Sequence, residues 1–160
     1  MNSINYVSAA DAVKLIHSGD HVYIQGSTSI PEVLLSALAE RGHELRDVTL
    51  YSAFAVAKGE SPYCKEEFKD SFLVNSMFVS NAVRKWIADG YGTMTPRFLG
   101  EVPALFRQGI CPVDVALLNC SMPDENGYVS FGVSADLATS AAECAKTLIA
   151  QIKKQLPFSY

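Results

Sequence analysis

Dedicated metal and redox chemistry has little to work with in this sequence. Its four cysteines, at 64, 111, 120 and 144, form no C-x-x-C pair. Of the three histidines, His17 and His21 have one-turn spacing, but Gly19 breaks the chain between them, and His43 stands apart. No metal site is expected from that spacing. The cysteines are expected to act as small apolar residues in a reducing compartment. The apolar runs are strand-sized, far short of the ~20 residues that span a bilayer. Neither G-x-x-x-x-G-K-[ST] nor G-x-G-x-x-G occurs, so the common nucleotide-binding loops are missing. Without G-x-S-x-G there is no nucleophile elbow. Positive charge is also scarce: 13 Lys and Arg face 17 Asp and Glu, giving a net charge of -4. That balance argues against broad binding to nucleic acid or to anionic membranes. The opening residues Met1-Asn2-Ser3-Ile4-Asn5 lack the basic and apolar regions of a signal peptide, so a cytoplasmic location is expected.

What is present suits one globular domain. The 160 residues are 49% apolar and 19% charged, enough to bury a core, with no internal repeat, low-complexity stretch or linker. Ser8-Ala9-Ala10-Asp11 predicts a capped helix that stops at Gly19. A strand over 21–25 follows, then a helix from Pro31 to Arg41 ended by Gly42, and a strand over 48–52. Residues 57–70 are polar and irregular, which predicts a mobile loop or a short helix. Further strands are expected at 71–79, 92–96, 113–120 and 128–131, with helices at 81–89, 102–108 and 136–145. Thr147 to Ile152 has a strand-length apolar core and predicts a last strand rather than a continued helix. This alternation predicts an α/β fold, a mostly parallel open sheet with helices on both faces. Its βα turns gather outside the carboxyl ends of the strands, where ligands bind.

Two such turns carry the candidate site. In Gly26-Ser27-Thr28-Ser29-Ile30-Pro31 a glycine permits close backbone approach, hydroxyls follow, and the helix start offers free amides to an anion. The same loop also reads as a simple helix cap. Ser121-Met122-Pro123-Asp124-Glu125-Asn126-Gly127 is a polar turn following a core strand. Asp124 there either holds the turn through its own amides or points into the cleft, and Asn126-Gly127 supplies a positive φ. Elsewhere Glu66, Glu67 and Asp70 are expected to be solvated, and Glu101 to serve as a charge at a helix start. The residues thus supply anion-suited backbone and hydroxyls, but no acid–base pair and no activated nucleophile.

The order of several segments accounts for that gap. His17-Ser18-Gly19-Asp20 leading to Gly26–Leu34, Phe78–Lys85, Thr95–Phe106, Pro112–Leu117 running into Met122–Tyr128, and Ser134-Ala135-Asp136 together resemble the N-terminal half of the acetyl-CoA hydrolase/transferase family. Within it the resemblance is to transferases acting on 4-hydroxybutyrate, butyrate and acetate. The resemblance implies two related α/β halves that move CoA between carboxylic acids. A glutamate of the second half attacks the acyl-CoA carbonyl. It implies a CoA thioester as substrate with no permanently bound cofactor. It implies partners in an acyl-CoA, a short-chain carboxylate and the C-terminal half or a second subunit, and a homo-oligomer when complete. Residues 1–160 then form a single N-terminal domain without the catalytic half, and Lys153–Tyr160 departs from the family pattern. No catalytic residue is expected in this chain; Gly26, Ser27, Thr28, Ser29, Met122, Pro123, Asp124 and Gly127 are expected to bind substrate. Two other readings are a non-catalytic interaction module and a sugar-phosphate isomerase-like enzyme, the latter suggested only by the anion-suited loop.

Overall fold

A computed structural model describes residues 5–55 and 59–159. Ser8 caps the first helix, α1 (Ala9–Ala12), by accepting the Asp11 amide at 3.1 Å. The helix tightens into a 3-10 turn over Val13–Leu15. Gly19 then takes φ +84°, a left-handed value open to a residue without a Cβ. The chain continues through β1 (His21–Ile24), α2 (Glu32–Glu40), β2 (Val48–Ala53), β3 (Phe72–Phe78), α3 (Asn81–Ala88) and β4 (Gly92–Met94). It closes with α4 (Val102–Arg107), β5 (Val115–Cys120), α5 (Ala138–Cys144) and β6 (Thr147–Ile152).

The six strands form one sheet in the order β4-β3-β2-β1-β5-β6, and every neighbouring pair is parallel. From β1 to β4 the chain winds toward one edge, and then it crosses back to place β5 on the other side of β1. That reversal is a topological switch point. The helices before and after it lie on opposite faces, the arrangement that in open α/β sheets sets a ligand crevice between the loops leaving the two strands.

Side chains alternate across each strand and sort into two cores. On one face Val22, Ile24, Leu50, Val74 and Leu117 meet Ile16 beside α1, Leu34 and Leu38 of α2, and Val83 and Trp86 of α3. On the other, Tyr23, Tyr51, Ala116 and Leu118 meet Leu105 and Phe106 of α4 and Ala138 and Ala141 of α5. Each large side chain removed from water here contributes about 1.5–3 kcal/mol. Arg41, just beyond α2, donates to the carbonyls of Val13 and Ile16 and so ties the first helical turn to the second helix.

Opposite the crevice, at the amino ends of the strands, Asp114 joins three elements. Its Oδ2 accepts the His21 amide at 2.8 Å and lies 3.2 Å from His21 Nδ1, while Oδ1 accepts Lys146 Nζ at 2.7 Å. The Asp114 backbone adds bonds to His21 and Thr147.

Three expectations are corrected. No strand forms at 128–131: Tyr128 and Val129 are exposed, and Ser130 exchanges hydrogen bonds with Ser121 instead of joining the ladder. The segment after β2 does hold a short helix, a 3-10 turn over Glu66–Phe68, but it is not polar throughout, because Tyr63, Cys64 and Phe68 are buried. Its first part falls partly on residues 56–58, which lie outside the described residues. Alternating aromatic and charged residues concealed that core contribution, although Glu66, Glu67 and Asp70 are exposed as expected. The first helix is also shorter than expected, since the 3-10 turn ends it at Leu15. All four cysteines are free; burial pushes Cys120 up to about 11, and burial, aided by Glu60, pushes Cys64 up to about 12. Such thiols stay protonated and unreactive near neutral pH.

Candidate functional site

The crevice is built where β1 and β5 part. Backbone pairing between them ends with the Gln25 amide donating to the Leu117 carbonyl at 3.1 Å. Beyond it the buried Gln25 side chain takes over: Oε1 accepts the Asn119 amide at 2.7 Å and Nε2 donates to the Ser134 carbonyl at 2.8 Å. A polar side chain at the end of an apolar strand was the signal for this clamp, and the sequence reading passed over it. Next to it Asp136 receives Ser27 Oγ at 3.4 Å, Tyr23 OH at 3.5 Å and the Leu137 amide at 2.5 Å. Burial first, then the Asp136 carboxylate, raises the Tyr23 phenol well above its ordinary pKa, so it remains a donor.

The Gly26 loop differs from expectation in its particulars. Gly26 is buried and outside the left-handed region, whereas Ser27 takes φ +54°. Its amide donates to the Phe54 carbonyl at 2.8 Å, and Phe54 itself takes φ +46°. Two non-glycine residues in left-handed conformations face each other there; such positions cost of order 1–3 kcal/mol each and cluster at working sites. The three hydroxyls do not converge, since Ser27 reaches Asp136, Thr28 is exposed and Ser29 is fully buried. Nor does the start of α2 present a row of free amides: Glu32 donates to the Ile30 carbonyl and Val33 to Gln151 Oε1, each at 3.0 Å. The side chain of β6 occupies part of the anion site the sequence suggested.

The second turn closes on itself. Asp124 Oδ1 accepts the amides of Asn126 at 2.9 Å and Tyr128 at 2.8 Å. The Gly127 amide returns to the Asp124 carbonyl at 3.0 Å, with Gly127 at φ +85°. Among the described residues no hydrogen bond joins Asp124 to the 26–29 loop. Met122 is exposed, and Pro123 and Asp124 are half-buried. Asp124→Asn keeps an oxygen for both amides and is expected to shift urea stability by less than about 0.5 kcal/mol. Asp124→Ala removes the acceptor and is expected to cost about 1–2 kcal/mol. Equal losses for the two variants would show that the charge, not the hydrogen-bonded turn, is what matters.

Ser29 Oγ, Ser52 Oγ and Asn119 Oδ1 are buried without a hydrogen-bond partner among the described residues. They follow or end β1, β2 and β5, so this cost in desolvation, about 1–3 kcal/mol per group, gathers at the carboxyl edge. No group of three or more His, Cys, Asp or Glu side chains is assembled to hold a metal among the described residues. No helix among them is long and apolar enough to cross a membrane.

Residues 4–159 match the family model described as the acetyl-CoA hydrolase/transferase N-terminal domain. The chain is 38% identical over 151 residues to a 4-hydroxybutyrate coenzyme A transferase of Clostridium kluyveri, covering 94% of this chain and 35% of that protein. It is 30% identical over 155 residues to a butyryl-CoA:acetate CoA-transferase of Anaerostipes caccae, covering 94% of this chain and 33% of that protein. Among solved structures, RipA of Yersinia pestis superposes with a TM-score of 0.84 at 27% identity over 95% of this chain and 37% of the other. A 4-hydroxybutyrate CoA-transferase of Porphyromonas gingivalis superposes with a TM-score of 0.78 at 30% identity, over 96% of this chain and 34% of the other. The chain thus spans about a third of the length of the relatives it matches. With its switch-point topology and this match over nearly its whole length, the chain belongs to the acetyl-CoA hydrolase/transferase family, within that family's N-terminal domain.

Proposed function

We propose that residues 1–160 form one wall of a CoA-transferase that moves CoA between short-chain carboxylic acids of the butyrate, 4-hydroxybutyrate and acetate class. The observation that carries this reading is the placement of the 26–29 and 121–127 loops at the ends of β1 and β5, the adjacent strands where the sheet order reverses. An acyl-CoA and its acceptor carboxylate lie across that crevice, with Gly26, Ser27, Thr28 and Ser29 on one side and Met122, Pro123, Asp124 and Gly127 on the other. CoA enters as a thioester substrate, and no resident cofactor takes part.

The chemistry needs a carboxylate nucleophile. A glutamate attacks the thioester carbonyl and expels the CoA thiolate, forming an acyl–glutamyl anhydride. The thiolate then attacks the glutamyl carbonyl, releasing the first acid and leaving a glutamyl–CoA thioester for the second acid to reverse. Within this chain Asp124 is engaged in its own turn and Asp136 in a clamp, so neither stands free as that nucleophile. The glutamate comes from a C-terminal half or a second subunit, and the complete enzyme is a cytosolic homo-oligomer. This chain contributes binding and orientation.

The 160-residue chain with butyryl-CoA and acetate is expected to form no acetyl-CoA and no borohydride-trapped glutamyl adduct. Addition of a separately expressed C-terminal half from a matched relative is expected to restore turnover. A trapped adduct on the chain alone, or no turnover in any combination, overturns the reading. An interaction module is the alternative, favoured by exposed Val7, Leu15, Val33 and Leu148 around a groove of about 780 Å³ beside β6. Binding of a protein partner with no dependence on CoA would support it.

A further inference from the structure

At the carboxyl end of β1 the backbone changes partner. The Gln25 amide still donates to the Leu117 carbonyl of β5 at 3.1 Å. In a continued parallel ladder the Asn119 amide would next reach the main-chain carbonyl of Gln25. It goes instead to the side chain, donating to Gln25 Oε1 at 2.7 Å. Past that point the main chain turns to β2: the Ser27 amide donates to the Phe54 carbonyl at 2.8 Å, and Ser27 forms a parallel bridge with Ala55.

A side-chain amide thus stands in for a peptide group. Its carbonyl satisfies β5, while Nε2 donates at 2.8 Å to the carbonyl of Ser134, on the segment that leads into α5. Two residues on, Asp136 accepts Ser27 Oγ at 3.4 Å and closes the circuit onto the 26–29 loop. One side chain therefore joins three segments: the end of β1, the end of β5, and 134–136. Gln25 is fully buried, directly after the apolar strand residues Val22, Tyr23 and Ile24. A buried amide is costly unless both its ends are matched, and here both are. An apolar residue could fill the same volume, but it would take this partner from the Asn119 amide and the Ser134 carbonyl.

We propose that Gln25 is a positioning residue for the site. It lets the 26–29 loop lean on β2 while it holds the strand end that carries the 121–127 loop, and the 134–136 segment, in fixed relation to that loop. Both walls then keep one relative placement. The proposal deepens the CoA-transferase reading above and rests on it for the ligand that lies between the walls. Gln25 is enclosed and touches no substrate. Its contribution is orientation, and displacements of about 1 Å can cost on the order of a hundredfold in rate.

Backbone amide relaxation dispersion on the 160-residue chain reads the placement of both walls without any ligand. Gln25→Met keeps the length of the side chain and removes both hydrogen bonds. It is expected to introduce exchange broadening at Ser27 and Thr28 on one wall and at Asn126 and Gly127 on the other. Leu50 and Val74, in the central strands, are expected to stay as in wild type. Gln25→Glu keeps the acceptor for Asn119 and makes the second contact depend on protonation. Burial raises such a carboxyl, so at about pH 5 this variant is expected to donate to Ser134 and match wild type. At about pH 8 its ionised form is expected to broaden Ser27 and Ser134 while Asn126 and Gly127 stay sharp. Asp124, Asp136 and Tyr23, the titratable groups on the same segments, are common to both proteins, so the wild-type profile over that range is the reference.

Loops as quiet in both variants as in wild type overturn the proposal. So does broadening spread equally over Leu50 and Val74, which would make Gln25 a residue of global stability only. Should Gln25→Met fail to fold, the pH dependence of Gln25→Glu decides alone. Reconstituted with a C-terminal half from a matched relative, Gln25→Met is expected to lower kcat about tenfold or more, with KM for butyryl-CoA within about threefold of wild type. An unchanged kcat overturns the positioning role. No turnover with the wild-type chain sinks the CoA-transferase reading instead, and the dispersion result still decides whether Gln25 places the two walls.

Discussion

Gly26→Ala is expected to destabilise the protein by about 3 kcal/mol or more, the upper end of the range for overpacking. A Cβ on Gly26 would sit 1.9 Å from the carbonyl oxygen of Ala53, 3.1 Å from its carbon and 3.4 Å from the Phe54 oxygen. These are backbone atoms and have no rotamer to retreat into. β2 cannot drift away either, because it is bonded to β1 on one side and β3 on the other. Separating the strands would also break the hydrogen bond from Ser27 to Phe54. Gly26→Val adds a branched side chain at the same point and is expected to leave little native protein, given a total stability of roughly 5–15 kcal/mol for a domain. Urea unfolding followed by circular dichroism measures both variants, and a wild-type midpoint for Gly26→Ala would refute the close approach. Read from the sequence, this glycine admits a ligand, and its replacement costs activity with the fold intact. The structure gives the glycine a further reason, the close approach of β2, so its replacement costs the fold as well.

The second large effect lies at the opposite end of the sheet. Asp114→Ala is expected to cost about 2–3 kcal/mol, as removal of a charged acceptor strands the His21 amide and frees Lys146. The loss has a defined pH dependence. Burial pushes the Asp114 carboxyl up, but its hydrogen bonds to Lys146 and His21 outweigh that and hold it below the ordinary carboxylate value. A depressed folded-state pKa contributes stability above the unfolded value of about 3.9. That contribution disappears as pH falls through the lower folded value. Stabilities of wild type and Asp114→Ala are therefore expected to differ fully at pH 7 and to converge as pH falls below the ordinary carboxylate range. A difference that stayed constant to pH 2.5 would mean that packing, rather than the ionised carboxylate, holds these strand ends together.

Much of the fold was legible because its signals are local. Thr147 to Ile152 reads as a strand and is one, with Ile149 buried between exposed Leu148 and Ala150. The helix cap at Ser8 and the stop at Gly19 also fall where the chain turns. The parallel α/β class follows from the alternation of such elements. Legibility fails where a partner distant in sequence decides the outcome. Ser130 looks like a residue of a short strand, but its partners are Ser121, nine residues back, and Ser159, 29 residues ahead. Tyr63 and Phe68 sit among charged neighbours, and they are buried because Phe72 and the surrounding core give them aromatic partners. At the site, the choice of loops was readable because strand ends and turn residues are local features. The inner arrangement was not: Gln25 reaching Ser134, Ser27 reaching Asp136 and Gln151 capping α2 each span more than a hundred residues.

The segment after β6 folds back over the carboxyl edge of the sheet. After β6 the segment 153–159 turns back: Lys153 donates to the Cys120 carbonyl at 2.9 Å, and Leu156 packs on Gly132. Ser159 bonds to Ser130 through its amide at 3.1 Å and to the Gly132 carbonyl through its hydroxyl at 3.1 Å. Ser159 thus lies beside the loop that follows the 121–127 turn, on the carboxyl side of the sheet. A downstream folded unit needs little tether to lie over that opening. An affinity handle fused at the same end would crowd it, whereas one placed before Asn5 departs from the α1 side of the molecule.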